Sequence, residues 1–287
     1  MVLESLINPI RAESRPWALL MLGFMYATVG LFLGLWIFEE YASMIMVFLT
    51  TMAAIPLVYN TIKLEESKDY LFTSERTLLK EHAKALNLFF FFFLGTMIAF
   101  SLWYVMLPSD VSSLVFSSQT QTINNLNQDV TGNFFQGQQA MLFTKIFLNN
   151  LKVMIFCILF SFLYGSGAIF ILTWNASVVG AAIGNFIRTH IAMYALSLGF
   201  KDAGSYFYVI SLSLARYLIH GIPEVLGYIV AGLAGGIISV AVIRHDFKTK
   251  KFFHVLLDAA DLLLISLAFL LIGGLLEVFV TPLLFRP

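Results

Sequence analysis

The chain has 287 residues, of which 59% are apolar and only 12% charged, with a mean hydropathy of +0.86. Water-soluble domains carry about 25% charged residues, so this composition excludes a soluble protein. The 17 acidic and 17 basic residues cancel, which leaves neither the basic excess of a nucleic-acid binder nor the acidic tail of a solvating segment. The single cysteine, Cys157, sits in an apolar run. It excludes an internal disulfide and a cysteine-based zinc or redox site, and reads as packing.

A membrane-spanning helix needs about 20 mostly apolar residues. Residues 17–38, preceded by Arg11 and Arg15, form the first such run. It is too long for the apolar core of a signal peptide and no small-residue cleavage site follows, so it is expected to stay as an anchor. Residues 41–62 follow, with Pro56 as an expected kink. Residues 86–107 carry five consecutive phenylalanines, Phe89 to Phe93, which cover every side of a helix and oblige some to face lipid. A fourth span falls within 146–173, and 225–243 and 262–280 complete the clear cases.

Residues 174–220 are interrupted by Asn175, Asn185, Arg188, His190, Lys201, Asp202 and Arg216. Positive residues favour the cytoplasmic side, and two loops are rich in them: Lys63, Lys68, Arg76, Lys80 and Lys84 in one, Arg244, Lys248, Lys250 and Lys251 in the other. Both are expected inside, whereas residues 108–140 contain no Lys or Arg and are expected outside. With the amino terminus cytoplasmic, 176–198 running outward and 225–243 inward give seven spans, and 205–220 becomes a re-entrant half-helix. The alternative folds 174–190 as a re-entrant hairpin.

Two segments lie outside the spans. Ser74 reads as an N-cap followed by Glu75, with Leu78, Leu79, Ala83 and Leu86 on one face: a short amphipathic helix that either docks a cytoplasmic partner or lies on the bilayer. The external segment is rich in Ser, Thr, Asn and Gln and reads as a flexible uncharged loop.

An ionisable side chain in hydrocarbon costs about 2.5–3.5 kcal/mol and is usually paired, inward-facing or functional. Residues 145–236 concentrate polar and ionisable groups: Asn149 and Asn150 at the outer start of span four, Asn175 at its inner end, then Arg188, His190, Arg216, His220 and Glu224. Eleven of the 19 glycines also fall here. Among them Gly165, Gly167, Gly180, Gly184, Gly221, Gly232, Gly235 and Gly236 are expected to let helices approach closely. Gly23, Gly30 and Gly34 in span one share a face that either pairs with a second copy or receives span two. The sharpest element is Arg216-Tyr-Leu-Ile-His220-Gly221-Ile-Pro223-Glu224. Gly221 and Pro223 predict a broken helix with His220 at one end and Glu224 at the start of the next. Such breaks hold ions or anionic groups in transporters. Arg188 or Arg216 would supply the counter-charge; the competing reading is a buried network that only fixes helix packing. No metal site is expected, since His220 and Glu224 lack the H-E-x-x-H spacing, and no cofactor is expected.

Phe147-Leu-Asn149-Asn150, Gly165 and Gly167, Trp174-Asn175-Ala-x-x-x-Gly180, and His220-Gly221-Ile-Pro-Glu224 with Ala231-Gly232 and Gly235 together resemble the stage II sporulation protein M family, over about residues 70–245. Ala176 departs from the glycine more usual in the family. The spans predict an all-α, polytopic membrane helix bundle of about six to seven spans, and the resemblance implies a membrane-integral protein with no established catalytic activity. It divides the chain into a two-helix hairpin (1–69), the family-like domain (70–245, with the external loop 108–140) and a last helix (246–287). The functional expectation is a non-enzymatic scaffold in the cell membrane, in contact with the lipid bilayer and with further copies of itself or other membrane or cytoplasmic proteins, and without nucleic acid. The alternative is a transporter or channel with its site at His220 and Glu224.

Overall fold

The computed structural model describes residues 16–71, 75–128, 138–164, 168–198, 203–243 and 250–284. These residues are helical almost throughout, and no strand occurs among them. In chain order the helices are α1 (Pro16–Ile37), a 3-10 turn (Glu39–Tyr41), α2 (Ala42–Leu71), α3 (Glu75–Met106), α4 (Ser109–Val115), α5 (Ser117–Gln128), α6 (Gln138–Tyr164), α7 (Ala168–Leu198), α8 (Ala203–Ile243), α9 (Lys250–Leu275), a π-helical segment (Leu276–Val280) and α10 (Thr281–Leu284). Seven helices among the described residues are long and apolar enough to cross a membrane: α1, α2, α3, α6, α7, α8, and α9 with its continuation. With no water to bond exposed backbone, a helix is the element that satisfies its own polar groups. Buried hydroxyls do likewise: Thr50, Thr51 and Thr61 donate to the carbonyls of Met46, Val47 and Leu57, four residues back. Trp17 and Trp36 are exposed at the two ends of α1, the placement favoured at a membrane–water boundary.

The longest helix, α8, packs against α9, α6 and α7, while α3 lies between α1 and α7. Residues 227–237 of α8 are buried on every side, which suits a helix apolar all round at the centre of a bundle. Small residues set the approach distances. A Cβ on Gly235 would come within 3.0 Å of Ile158 of α6, and one on Gly232 within 2.8 Å of Ala168 of α7. Gly180 and Gly184 face Phe100 and Tyr104 of α3 in the same way. Gly236 is buried in α8; Gly165 and Gly167 lie outside the described residues. Cys157 is fully buried in the core.

Several expectations need correction. α8 runs unbroken through Gly221 and Pro223, and α7 is one continuous helix through Trp174 and Asn175. Neither a re-entrant half-helix at 205–220 nor a hairpin at 174–190 forms. Gly and Pro are tolerated inside membrane helices because neighbouring helices and polar side chains re-satisfy the freed backbone groups. Gly221 is not a packing glycine either: nothing lies within 4 Å of where its Cβ would stand. The segment before span three is not a separate helix but the first turns of α3; Ser74 lies outside the described residues. Gly30 and Gly34 face Thr50, Met46 and Ala42 of α2, and Gly23 faces Phe92 of α3, so the glycine face of α1 is occupied within the chain.

The segment after α3 is not a bare loop. α4 and α5 fold back over the bundle, anchored by Phe116, which is fully buried against Phe100 and Tyr104 at ring distances of 6.3 and 5.1 Å. Gln119, also fully buried, donates to the Ser43 carbonyl and to Ser177 Oγ, both at 3.1 Å.

Candidate functional site

Asn150 stands near the middle of α6 and Glu224 near the middle of α8. The span-four reading placed Asn150 at an outer helix start; α6 begins earlier, at Gln138, and carries it to mid-span. Asn150 Nδ2 donates to Glu224 Oε1 at 2.6 Å, and the Tyr228 hydroxyl donates to Asn150 Oδ1 at 2.8 Å. The carboxamide is thereby held at both ends, and its oxygen and nitrogen are assigned by these two bonds. One turn before Glu224, His220 Nδ1 lies 3.3 Å from Thr281 Oγ1. Glu277 of the π-helical segment lies one turn after Gly273, whose backbone the Glu224 side chain touches, and one turn before Thr281, which places it on the face of the last span turned towards α8. Six polar side chains from α6, α8 and the end of the last span thus meet: Asn150, His220, Glu224, Tyr228, Glu277 and Thr281.

The last span makes room for them. A Cβ on Gly273 would meet Glu224 Cγ at 2.5 Å, and one on Gly274 would meet the Phe143 ring at 3.2 Å, so this glycine pair admits the carboxylate side chain against the backbone. Pro282 explains the π turn: a proline ring collides with the carbonyl four residues back, and widening the helix by one residue relieves the collision. The Leu276 carbonyl then accepts both the backbone N–H and the hydroxyl of Thr281, the latter at 3.1 Å. Pro223 acts on the facing helix, where its missing N–H leaves the Ile219 carbonyl, beside His220, without its helical donor. The helix irregularity that spacing predicts in α8 therefore occurs across from it, at Leu276–Val280.

The remaining expected residues lie elsewhere. Arg188 is no counter-charge to this cluster: its Nη2 donates to the carbonyls of Val105, at 3.1 Å, and Leu107, and its guanidinium lies 5.4 Å from the Tyr104 ring. It serves the end of α3, where free carbonyls favour a cation. Arg216 is exposed and lies 5.3 Å from the ring of Phe186, which stacks on His190 at 3.7 Å. Asn175 Nδ2 donates to the Ile171 carbonyl of its own helix. Asn149 is exposed on α6. Sequence reasoning passed over Glu277, Tyr228 and Thr281. For Glu277 the signal was present, as an acidic residue inside an otherwise apolar span.

Among the described residues no group of three or more His, Cys, Asp or Glu is placed to hold a metal ion. What the cluster offers is two carboxyl groups, an imidazole and three hydrogen-bonding neutral groups, the equipment for holding a proton, a cation or a helix partner. Fold and site together define a polytopic helical membrane protein with an acidic cluster inside its bundle. The chain belongs to the stage II sporulation protein M family, whose profile it matches over residues 88–282. That segment takes in the last span and all six cluster residues, and leaves out α1 and α2. No curated protein and no solved structure matches the chain.

Proposed function

We propose that the protein is a non-enzymatic, multi-pass protein of the cell membrane that conducts a proton or small cation through the site at Glu224 and Glu277. The observation that supports this reading is that Glu224 is bonded by a neutral carboxamide, Asn150, itself held by Tyr228, while no cation among the described residues pairs with Glu224 or with Glu277 on the facing stretch of the last span. Each intramembrane charge costs about 2.5–3.5 kcal/mol on insertion scales, and a second like charge adds repulsion. A bound proton or cation offsets both, and transporters place such sites near the bilayer midplane beside irregular helix segments. The charge pattern of the loops favours a cytoplasmic amino terminus and an external α4–α5 segment. The test is flux in proteoliposomes under imposed proton, sodium or potassium gradients. Wild-type protein is expected to conduct one of them, with Glu224→Gln and Glu277→Gln each at least tenfold slower. No flux of any of the three in the wild type overturns the proposal.

A second reading, as a scaffold for a cytoplasmic partner, is supported by the other end of the bundle. Glu65 of α2, fully buried, bonds Lys68 at 2.6 Å and His82 of α3 at 2.8 Å, clamping the α2–α3 hairpin. Lys80, Ala83, Lys84 and Asn87 leave an exposed ridge along α3. A complex purified in mild detergent that Lys80→Glu/Lys84→Glu dissociates is the expected result; an unchanged assembly overturns this role.

A further inference from the structure

α4 and α5 lie over the end of α3 and, with Arg188 of α7, line an open cavity of about 430 Å³. This is within the ordinary range of small-molecule sites, about 300–1,000 Å³, but those are mostly apolar. Here Ser113, Ser117 and Thr120 contribute hydroxyls, Gln121 and Asn124 contribute carboxamides, and Arg188 is the charged residue of the lining.

The arginine is held but not neutralised. Its Nη2 is engaged by the Val105 and Leu107 carbonyls, and its plane is steadied by Tyr104. Of its five N–H donors, those on Nε and Nη1 have no protein partner among the described residues, and no carboxylate there forms an ion pair with it. A guanidinium whose Nη2 is fixed by backbone carbonyls keeps charge-assisted donors on Nε and Nη1 for an oxyanion such as phosphate. Hydroxyls and carboxamides, each both donor and acceptor, match the hydroxyl groups of a polyol.

We propose that this cavity binds a phosphate carried on a small hydroxyl-bearing body, of the glycerol phosphate type, with Arg188 on the phosphate and the α4–α5 side chains on the hydroxyls. The same chemistry is presented by a free phosphorylated polyol and by an anionic lipid headgroup, and two probes separate them. Glycerol 3-phosphate is titrated calorimetrically into the full chain in detergent. Retention of phosphatidylglycerol against phosphatidylcholine is measured by native mass spectrometry after reconstitution in nanodiscs. Saturable binding of the first probe identifies a free solute, and selective retention of phosphatidylglycerol identifies a headgroup.

Loss of one charge-assisted hydrogen-bonded contact weakens binding by about tenfold or more, so Arg188→Gln is expected to bind at least tenfold more weakly. Because Arg188 also serves the end of α3, Asn124→Trp is the second variant. It starts from an exposed residue and fills the cavity without touching that helix end, with the same loss expected. Binding of neither probe by wild-type protein, or binding that either folded variant leaves unchanged, overturns the proposal.

Discussion

Two glutamates within the bundle, Glu65 fully buried and Glu224 partly buried, are treated in opposite ways. Glu65 is bonded by Lys68 and by His82, and Lys68 reaches on to Glu81 at 3.7 Å. Its charge is answered where it stands. Glu224 is bonded by a carboxamide and faces a second acid, Glu277, so its hydrogen bonding is provided for while its charge is not. A charge matched within the chain belongs to the architecture. One left for an outside proton or cation is useful for binding, and it holds its place only while the surrounding hydrogen bonds and packing keep it there.

The largest effect expected from this contrast is at Glu65. Removing one member of a buried ion pair leaves the other uncompensated, at a cost of about 3–5 kcal/mol. Glu65→Ala is therefore expected to give a large drop in the detergent-solubilised melting temperature. A change comparable to that of an exposed substitution would mean that the α2–α3 clamp is not structural. The next effect is expected where α9 admits the Glu224 side chain. Gly273→Ala places a methyl group 2.5 Å from Glu224 Cγ, and overpacking of this kind costs about 1–3 kcal/mol. Thermal melts read the stability loss, and flux in the same preparation shows whether the carboxylate was displaced. Tyr228→Phe removes the hydroxyl that donates to Asn150, and a single buried hydrogen bond is worth about 0.5–1.5 kcal/mol. A melting shift no larger than that, with flux reduced, is the expected pattern; intact flux would take Tyr228 out of the site.

The same contrast shows what a linear sequence discloses. The spans are legible because a bilayer demands long apolar runs, and each of the seven helices contains one. The glycine-rich packing of α8 is legible for a similar reason, since close approach in lipid selects small side chains. Gly221 and Pro223 mislead because their propensities are those of water, where a freed carbonyl ends a helix; inside a bundle α8 passes through both. Arg188 misleads because its acceptors, the Val105 and Leu107 carbonyls, belong to a helix end about 80 residues earlier, and backbone acceptors leave no trace in side-chain patterns. The α4–α5 fold-back is hidden by its polar composition; its anchors, Phe116 and Gln119, act through tertiary contacts. Glu277 lay in plain view, but one acid in an apolar run acquires meaning only when Glu224 is seen across from it.

The smallest stability effect is expected where the functional effect is largest. In Glu224→Gln the amide oxygen still accepts from Asn150, the volume is unchanged, and the facing charge of Glu277 no longer meets a like charge. Replacing a partly buried charge that has no counter-ion by a neutral isostere of the same shape relieves its desolvation cost, so its melting temperature is expected to stay level or rise while conduction falls at least tenfold. A structural role for Glu224 predicts the reverse: a loss of stability approaching that of Glu65→Ala, with flux falling only as folded protein is lost. Measuring both quantities on one reconstituted sample, for Glu224→Gln beside Glu65→Ala, decides between a carboxylate kept for what it binds and one kept for what it holds together.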